Sequence, residues 1–243
     1  MVIVVEENHS FRTIIGNPDA PYMNSLATQG ALLTDSTAVT HPSEPNYLAL
    51  FSGSAQGVTD DSCPHSFPGD NLGAQLAAAG KSFGGYSEGL PSTGYLGCTA
   101  GNYARRHSPW TNFTTVPASA SLPFSAFPQD YNALPTVSIV IPNLVNDMHD
   151  GTVPAADTWL HENLDGYAQW AKTHNSLLVL TWDEADNSTG NQVTTILTGA
   201  SVTPGRYSEP VNHYRVLRTI ESAFGLPPLG HAADTQPIAD IWH

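Results

Sequence analysis

Three clusters in this sequence could do chemistry. After the apolar run Val2-Ile3-Val4-Val5 comes Glu6-Glu7-Asn8-His9-Ser10, and after Leu177-Leu178-Val179-Leu180 comes Thr181-Trp182-Asp183-Glu184. If the two runs are neighbouring strands, Glu7, Asn8, Asp183 and Glu184 bring several oxygen atoms to one place, where a cation relieves the repulsion between the carboxylates. The alternative is that each acid merely caps the segment that follows it. The third cluster is His41-Pro42-Ser43-Glu44-Pro45-Asn46-Tyr47. Ser43 reads as a helix N-cap, with Glu44 and Pro45 in the first turn. A serine there is also well placed to attack a phosphate, because the free N–H groups and the helix dipole favour anionic oxygens. The roughly 36 residues from Glu7 to Ser43 make about one strand-helix-strand unit, so both can return to one sheet edge. Asn46, one turn along, can reach the same anion.

Histidines and arginines add to these clusters. Arg105-Arg106-His107 contains two of the 8 basic residues, which marks either a solvated loop or an anion contact. His149 lies in Asn146-Asp147-Met148-His149-Asp150, shortly after the apolar run Val137 to Ile141. His213, at the start of the last helix, and Asp147 are weaker candidates.

The elements that must position these groups alternate between strand and helix. Strands are expected at Val2–Val5, Ser82–Tyr86, Val137–Ile141, Ser176–Trp182 and Gln192–Leu197, with Ala31–Val39 extended. Helices are expected at Ala20–Gln29, Pro45–Phe51, Asn71–Ala79 and Val211–Phe224, and in a long segment from an N-cap at Asp157 to about His174. The alternation predicts an α/β fold whose mostly parallel sheet is sandwiched between helices. Ligands of such sheets bind beyond the carboxyl ends of the strands, where the acidic clusters fall. Residues 1–243 read as one domain, with long irregular loops around 53–128.

Composition narrows the partners. The 243 residues carry 22 acidic against 8 basic side chains, a formal net charge of -14, while 40% are hydrophobic. Eight cations cannot neutralise an extended run of phosphates, so nucleic acid is excluded as a partner. No stretch is long and apolar enough for a transmembrane segment. The only cysteines, Cys63 and Cys98, lie in Gly/Ser/Pro-rich segments. Paired, they would close a loop of roughly 36 residues and contribute about 4 kcal/mol on chain-entropy grounds; two unrelated thiols are the alternative. The abrupt start inside a strand suggests a secreted protein whose export signal is absent from this chain.

Together these stretches resemble a bacterial phosphoesterase family, that of secreted acid phosphatases and phospholipases C within the alkaline phosphatase-like superfamily. The matching segments are Glu7-Asn8-His9-Ser10-Phe11, His41 to Tyr47, Ala104 to Pro109, Pro142 to Asp150, Thr181 to Glu184 and Asn212-His213-Tyr214. They run in family order over nearly the whole chain, and the small secreted phosphatases look nearest. The resemblance implies a phosphoserine intermediate at Ser43 and one divalent metal on Glu7, Asn8, Asp183 and Glu184. Ca²⁺, Mg²⁺ or Mn²⁺ is favoured by the oxygen ligands, with Zn²⁺ or Fe open. Asn143 and Asp147 stand where two-metal members carry an Asp-x-x-x-His pair, so a single metal is expected, with His107 and His149 taking over its partner's charge-stabilising work. Asn46 and Arg106 would hold phosphate, and His149 would protonate the leaving group. Charged histidines would give an acid-to-neutral optimum. The expected reaction is phosphomonoester hydrolysis, the substrate a small phosphorylated molecule such as a phosphoinositide or phospholipid headgroup. Two rivals are a phosphodiesterase or phospholipase C using the same site, and a non-catalytic Ca²⁺-dependent anion-binding protein.

Overall fold

A computed structural model describes residues 1–186 and 190–243. One eight-stranded sheet is formed from β1 (Val2–Glu6), β2 (Ala31–Leu33), β3 (Phe83–Ser87), β6 (Ser121–Pro123), β7 (Val137–Ile141), β8 (Leu177–Trp182), β9 (Thr195–Gly199) and β10 (Gly205–Tyr207), in the order β10-β2-β9-β8-β1-β7-β3-β6. β4 (Thr99–Ala100) and β5 (Tyr103–Ala104) form a separate small ribbon. All pairings in the large sheet are parallel except those of β9, which runs antiparallel to both β2 and β8. The fold is the expected mostly parallel α/β sheet.

Side chains alternate across β1. Ile3 and Val5 pack with α3 (Ser43–Ser52), α4 (Leu72–Ala78) and α6 (His213–Phe224). Val2 and Val4 pack on the opposite face with α1 (Phe11–Ile14), α2 (Pro21–Gln29) and α5 (Val153–Ala171). Period-two alternation therefore feeds two cores, one on each face. All 10 residues of α3 are buried, polar ones included. Such a helix has no solvent face, so each of its polar side chains must find a partner inside the protein.

Several local expectations are corrected. Asp157 is not an N-cap: it lies within α5, which begins at Val153 behind Thr152. Its carboxylate instead crosses to α2, accepting the Tyr22 N–H at 3.0 Å and the Met23 N–H at 2.8 Å. The α2 N-cap is Ala20, which has no capping side chain, so a neighbouring helix supplies the anion that the helix start favours. β2 ends at Leu33, well short of Val39, although Thr34 and Thr37 still donate their N–H groups to Tyr207 O and Val211 O and Ser36 bridges Val211. β9 starts at Thr195 rather than Gln192 and α6 at His213 rather than Val211. Cys63 and Cys98 form a disulfide. Around it the loop region is built from short 3₁₀ turns, the first spanning Arg105–His107.

Because Asp157 is buried and carries two backbone donors, Asp157→Ala should lower stability by about 2 kcal/mol, and Asp157→Asn by about half as much. Urea denaturation measures both. A loss in the alanine variant below about 0.5 kcal/mol would show that α2 does not depend on this cap.

Candidate active site

The parallel strands end together, and their first residues beyond the sheet form the site. β1 lies between β8 and β7, with Glu6 opposite Trp182. Backbone bonds continue past the strand ends: Asp183 N–H donates to Glu6 O at 2.9 Å and Glu7 N–H to Asp147 O at 2.8 Å. Glu7, Asp147 and Asp183 are thereby held as buried carboxylates on three adjoining segments. Asn8 sits at φ 56° and donates its N–H to Asp183 Oδ1 at 3.1 Å.

Ser43 arrives at the start of α3. It is the first residue of the helix and not its cap, which is Pro42. Its hydroxyl is therefore not spent on capping: Oγ donates to Glu7 Oε2 at 3.1 Å and also interacts with Asp183. Asp61 supplies the cap instead, accepting the Glu44 N–H at 2.9 Å. One turn after Ser43, Tyr47 donates its hydroxyl to the other Glu7 oxygen, Oε1, at 2.5 Å. A single buried helix face thus holds both oxygens of one carboxylate. The Tyr47 ring also stacks on His107, with centroids 5.2 Å apart and planes 13° from parallel.

His107 is enclosed between acids. Nε2 lies 3.1 Å from Glu7 Oε1 and Nδ1 lies 3.3 Å from Asp147 Oδ2, neither with hydrogen-bond alignment. Burial, then Arg106 and His149, push its pKa well below the usual imidazole range. That direction favours the neutral ring and runs against the charge-stabilising role expected of His107. His149 accepts from Arg106 Nη2 at 2.9 Å and donates from Nδ1 to Asp150 at 2.7 Å. Its backbone N–H donates to Asp147 Oδ1 at 2.8 Å, which holds the residue against the site.

The carboxyl groups show the cost of crowding. Burial and the charges of Asp183 and Asp147 raise Glu7 far above the ordinary carboxyl range. Burial and Glu184 do the same to Asp183. Burial raises Asp147 to about 7, and burial with Asp61 raises Glu184 to about 7. Asp183 Oδ2 and Asp147 Oδ2 are buried without hydrogen-bond partners. Unpaired buried carboxylate oxygens are the donor set that a hard divalent cation satisfies, so the residues fit one. A second grouping overlaps it: ligand atoms of Glu7, His107 and His149 lie within 4.8 Å of one another.

Other expected site residues have different work. Asn46 accepts the Val39 and Thr40 N–H groups at 3.0 Å and donates to Thr40 O and Pro42 O. Both its amide hydrogens are used, so it shapes the loop before Ser43 and has no donor left for phosphate. His213 contacts the Asp183 backbone oxygen through Nε2 at 2.6 Å, with its pKa lowered by burial to about 4. It props the strand end from behind. Arg105 is spent on the loop, donating to Leu96 O, His65 O and Thr111. Arg106 remains at the site, its buried Nε without a partner. Tyr47, Asp61 and His41, which approaches Glu184 Oε2 at 2.8 Å, went unread as site residues. Tyr47 follows Ser43 by one helical turn, and that spacing was the available signal.

Comparisons with known proteins agree with this geometry. The Phosphoesterase family matches residues 17–227. A phosphatidylinositol-3-phosphatase of Mycobacterium tuberculosis is 55% identical over 247 residues, covering 100% of this chain and 82% of the relative. A phosphate-repressible acid phosphatase of Penicillium chrysogenum is 31% identical over 228 residues, covering 86% of this chain but only 55% of the relative. In fold, the chain resembles a protein of the alkaline phosphatase superfamily from Vibrio parahaemolyticus, with a TM-score of 0.64 at 13% identity over 98% of this chain and 70% of that one. With a serine held on a buried carboxylate at the strand ends and relatives of this kind, the chain belongs to the phosphoesterase family and is a hydrolase of phosphoric esters.

Proposed function

We propose that this chain is a metal-dependent phosphomonoesterase that works through a phosphoserine at Ser43. The observation that carries the reading is the Ser43 Oγ–Glu7 Oε2 contact of 3.1 Å, made inside a buried cluster of carboxylates. Glu7, Asn8, Asp183 and Glu184 would hold one divalent cation. Their oxygen atoms suit Ca²⁺, Mg²⁺ or Mn²⁺. The Glu7–His107–His149 grouping would suit Zn²⁺ or Fe, but Arg106 already directs a cationic N–H at His149, which favours the oxygen set. A bound cation supplies Lewis-acid polarisation of the phosphoryl group and a lowered pKa for the attacking hydroxyl.

The chain's own residues do the rest. Glu7 Oε2 receives the Ser43 proton as Oγ bonds to phosphorus and the bond to the leaving oxygen breaks in line. Arg106 moves its hydrogen bond to a phosphoryl oxygen, which releases His149 Nε2. His149 takes a proton from solvent at Nε2 and donates it to the leaving alkoxide. A water then attacks phosphorus, giving a proton to His149, and Glu7 returns its proton to Ser43 Oγ as that bond breaks. Tyr47 fixes Glu7 and stacks His107 throughout. With His107 neutral, Arg106 is the main protein cation facing the phosphate.

The name of the mycobacterial relative supports a phosphoinositide or similar phosphorylated headgroup as substrate. We take residues 1–243 to act as one domain and the protein to be secreted, in keeping with its disulfide. Among the described residues no helix is long and apolar enough to cross a membrane.

Three measurements test this reading. Ser43→Ala should lose about 10³-fold or more in kcat while keeping its bound metal, measured by a chromogenic phosphomonoester assay beside elemental analysis. Turnover near that of the unmodified protein would remove Ser43 as nucleophile, and faster turnover of a bis-ester than of the monoester would favour the phosphodiesterase. Chelation should abolish activity, and Ca²⁺, Mg²⁺ or Mn²⁺ should restore it; full activity in chelated, metal-free protein would sink the cation. Tyr47→Phe keeps the ring and removes the hydroxyl, so kcat should fall about tenfold with KM nearly unchanged. An unaltered kcat would mean that Glu7 does not need this hydrogen bond.

A further inference from the structure

Asp61 stands at the same site with no part in the chemistry just described. Oδ1 accepts the Glu44 N–H at 2.9 Å, one residue beyond Ser43 in the first turn of α3. Oδ2 lies 4.0 Å from Arg106 Nε, and that Nε is buried without a hydrogen-bond partner. The Asp61 side chain is 33% exposed, so its carboxylate belongs to the rim and not to the core.

The position is unusual because both neighbours favour an anion. A helix start and a guanidinium are the groups that hold phosphoryl oxygens, and here a fixed carboxylate stands between them. The Glu44 N–H is already taken, and Pro45 has none to offer. Ser43's own N–H is a first-turn donor with no partner among the described residues. A phosphoryl group on Ser43 can therefore take the Ser43 N–H and Arg106 Nε, and it then lies beside Asp61 Oδ2. Charge alone makes that contact repulsive. Arg105 does not offset it, being committed to backbone oxygens, and the facing side chains Glu184 and Asp150 are acidic, each in contact with a histidine.

A hydroxyl on the leaving group changes the balance. Set one or two carbons from the ester oxygen, it presents an O–H donor where Oδ2 needs one. A charged acceptor that gains such a bond discriminates strongly against an analogue lacking the donor. Free phosphate brings two negative charges as the dianion, with a single O–H donor, so repulsion from Oδ2 predominates. We infer that Asp61 is a specificity-determining residue: it favours phosphate esters of polyols, whose hydroxyl beside the ester it accepts, and it weakens the hold on the phosphate product. This inference rests on the phosphomonoesterase reading.

Asp61→Asn tests it, since the amide keeps an Oδ1 acceptor for the Glu44 N–H and turns the acceptor at the other position into a donor. Two esters are compared in each protein, myo-inositol 1-phosphate with hydroxyls beside the ester and p-nitrophenyl phosphate with none. The ratio of their kcat/KM values should fall about tenfold in the variant. Inorganic phosphate, titrated calorimetrically into the metal-loaded protein, should bind about tenfold tighter to the variant. An unchanged ratio overturns the hydroxyl contact, and unchanged phosphate affinity overturns the placement of Asp61 beside the phosphoryl group. If the unsubstituted protein hydrolyses neither ester, the phosphomonoesterase reading fails, while the phosphate titration still decides the placement of Asp61.

Discussion

Like charges crowded at the end of a parallel sheet are the constraint on which the rest of this structure depends. A parallel sheet delivers its strand ends to one edge, and here β1, β7 and β8 deliver Glu7, Asp147 and Asp183 there, all buried. Left alone, such a cluster would protonate or open. Hydrogen bonds from Ser43, Tyr47 and the Asn8 amide offset part of the cost, and the remaining unpartnered oxygens are what a cation would satisfy. The same crowding that costs stability creates an environment in which a serine hydroxyl can be activated.

Meeting that constraint takes a rigid partner, and α3 is one. Its side chains carry the proposed nucleophile, the Glu7 clamp and the loop brace, at Ser43, Tyr47 and Asn46, within little more than one turn. The disulfide complements it from outside by joining the stretch just after Asp61 to the one just before the Arg105–His107 turn. Both edges of the phosphate seat are thereby tied to each other independently of the sheet.

Legibility from sequence followed the kind of interaction. Strands buried on both faces read as apolar runs, so the α/β sheet and the chemistry at its edge could be inferred from Val2–Val5 and Leu177–Leu180 with the acids that follow them. The long-range partners were harder. Asp157 looks like a cap for its own helix but caps α2, because a short carboxylate can serve any helix start that packing brings near. Asn46 looks like an anion contact but is consumed by four backbone groups. His107 looks cationic, yet the desolvation that lowers its pKa depends on a burial that loop composition does not reveal. Asp61 lies in a segment with no periodicity at all, and only the fold brings it to Ser43.

A helix without a solvent face has a consequence for descent as well as for chemistry. With every residue of α3 enclosed, almost any exchange there disturbs packing, so that segment is closed to gradual variation. The loops between residues 53 and 128 contact α3 from the surface and carry Asp61 on irregular backbone and Arg106 on a short 3₁₀ turn, and such connections tolerate insertion and replacement. Lineages of this fold can thus acquire new esters by rewriting the loops while the interior helix passes on the reaction unchanged.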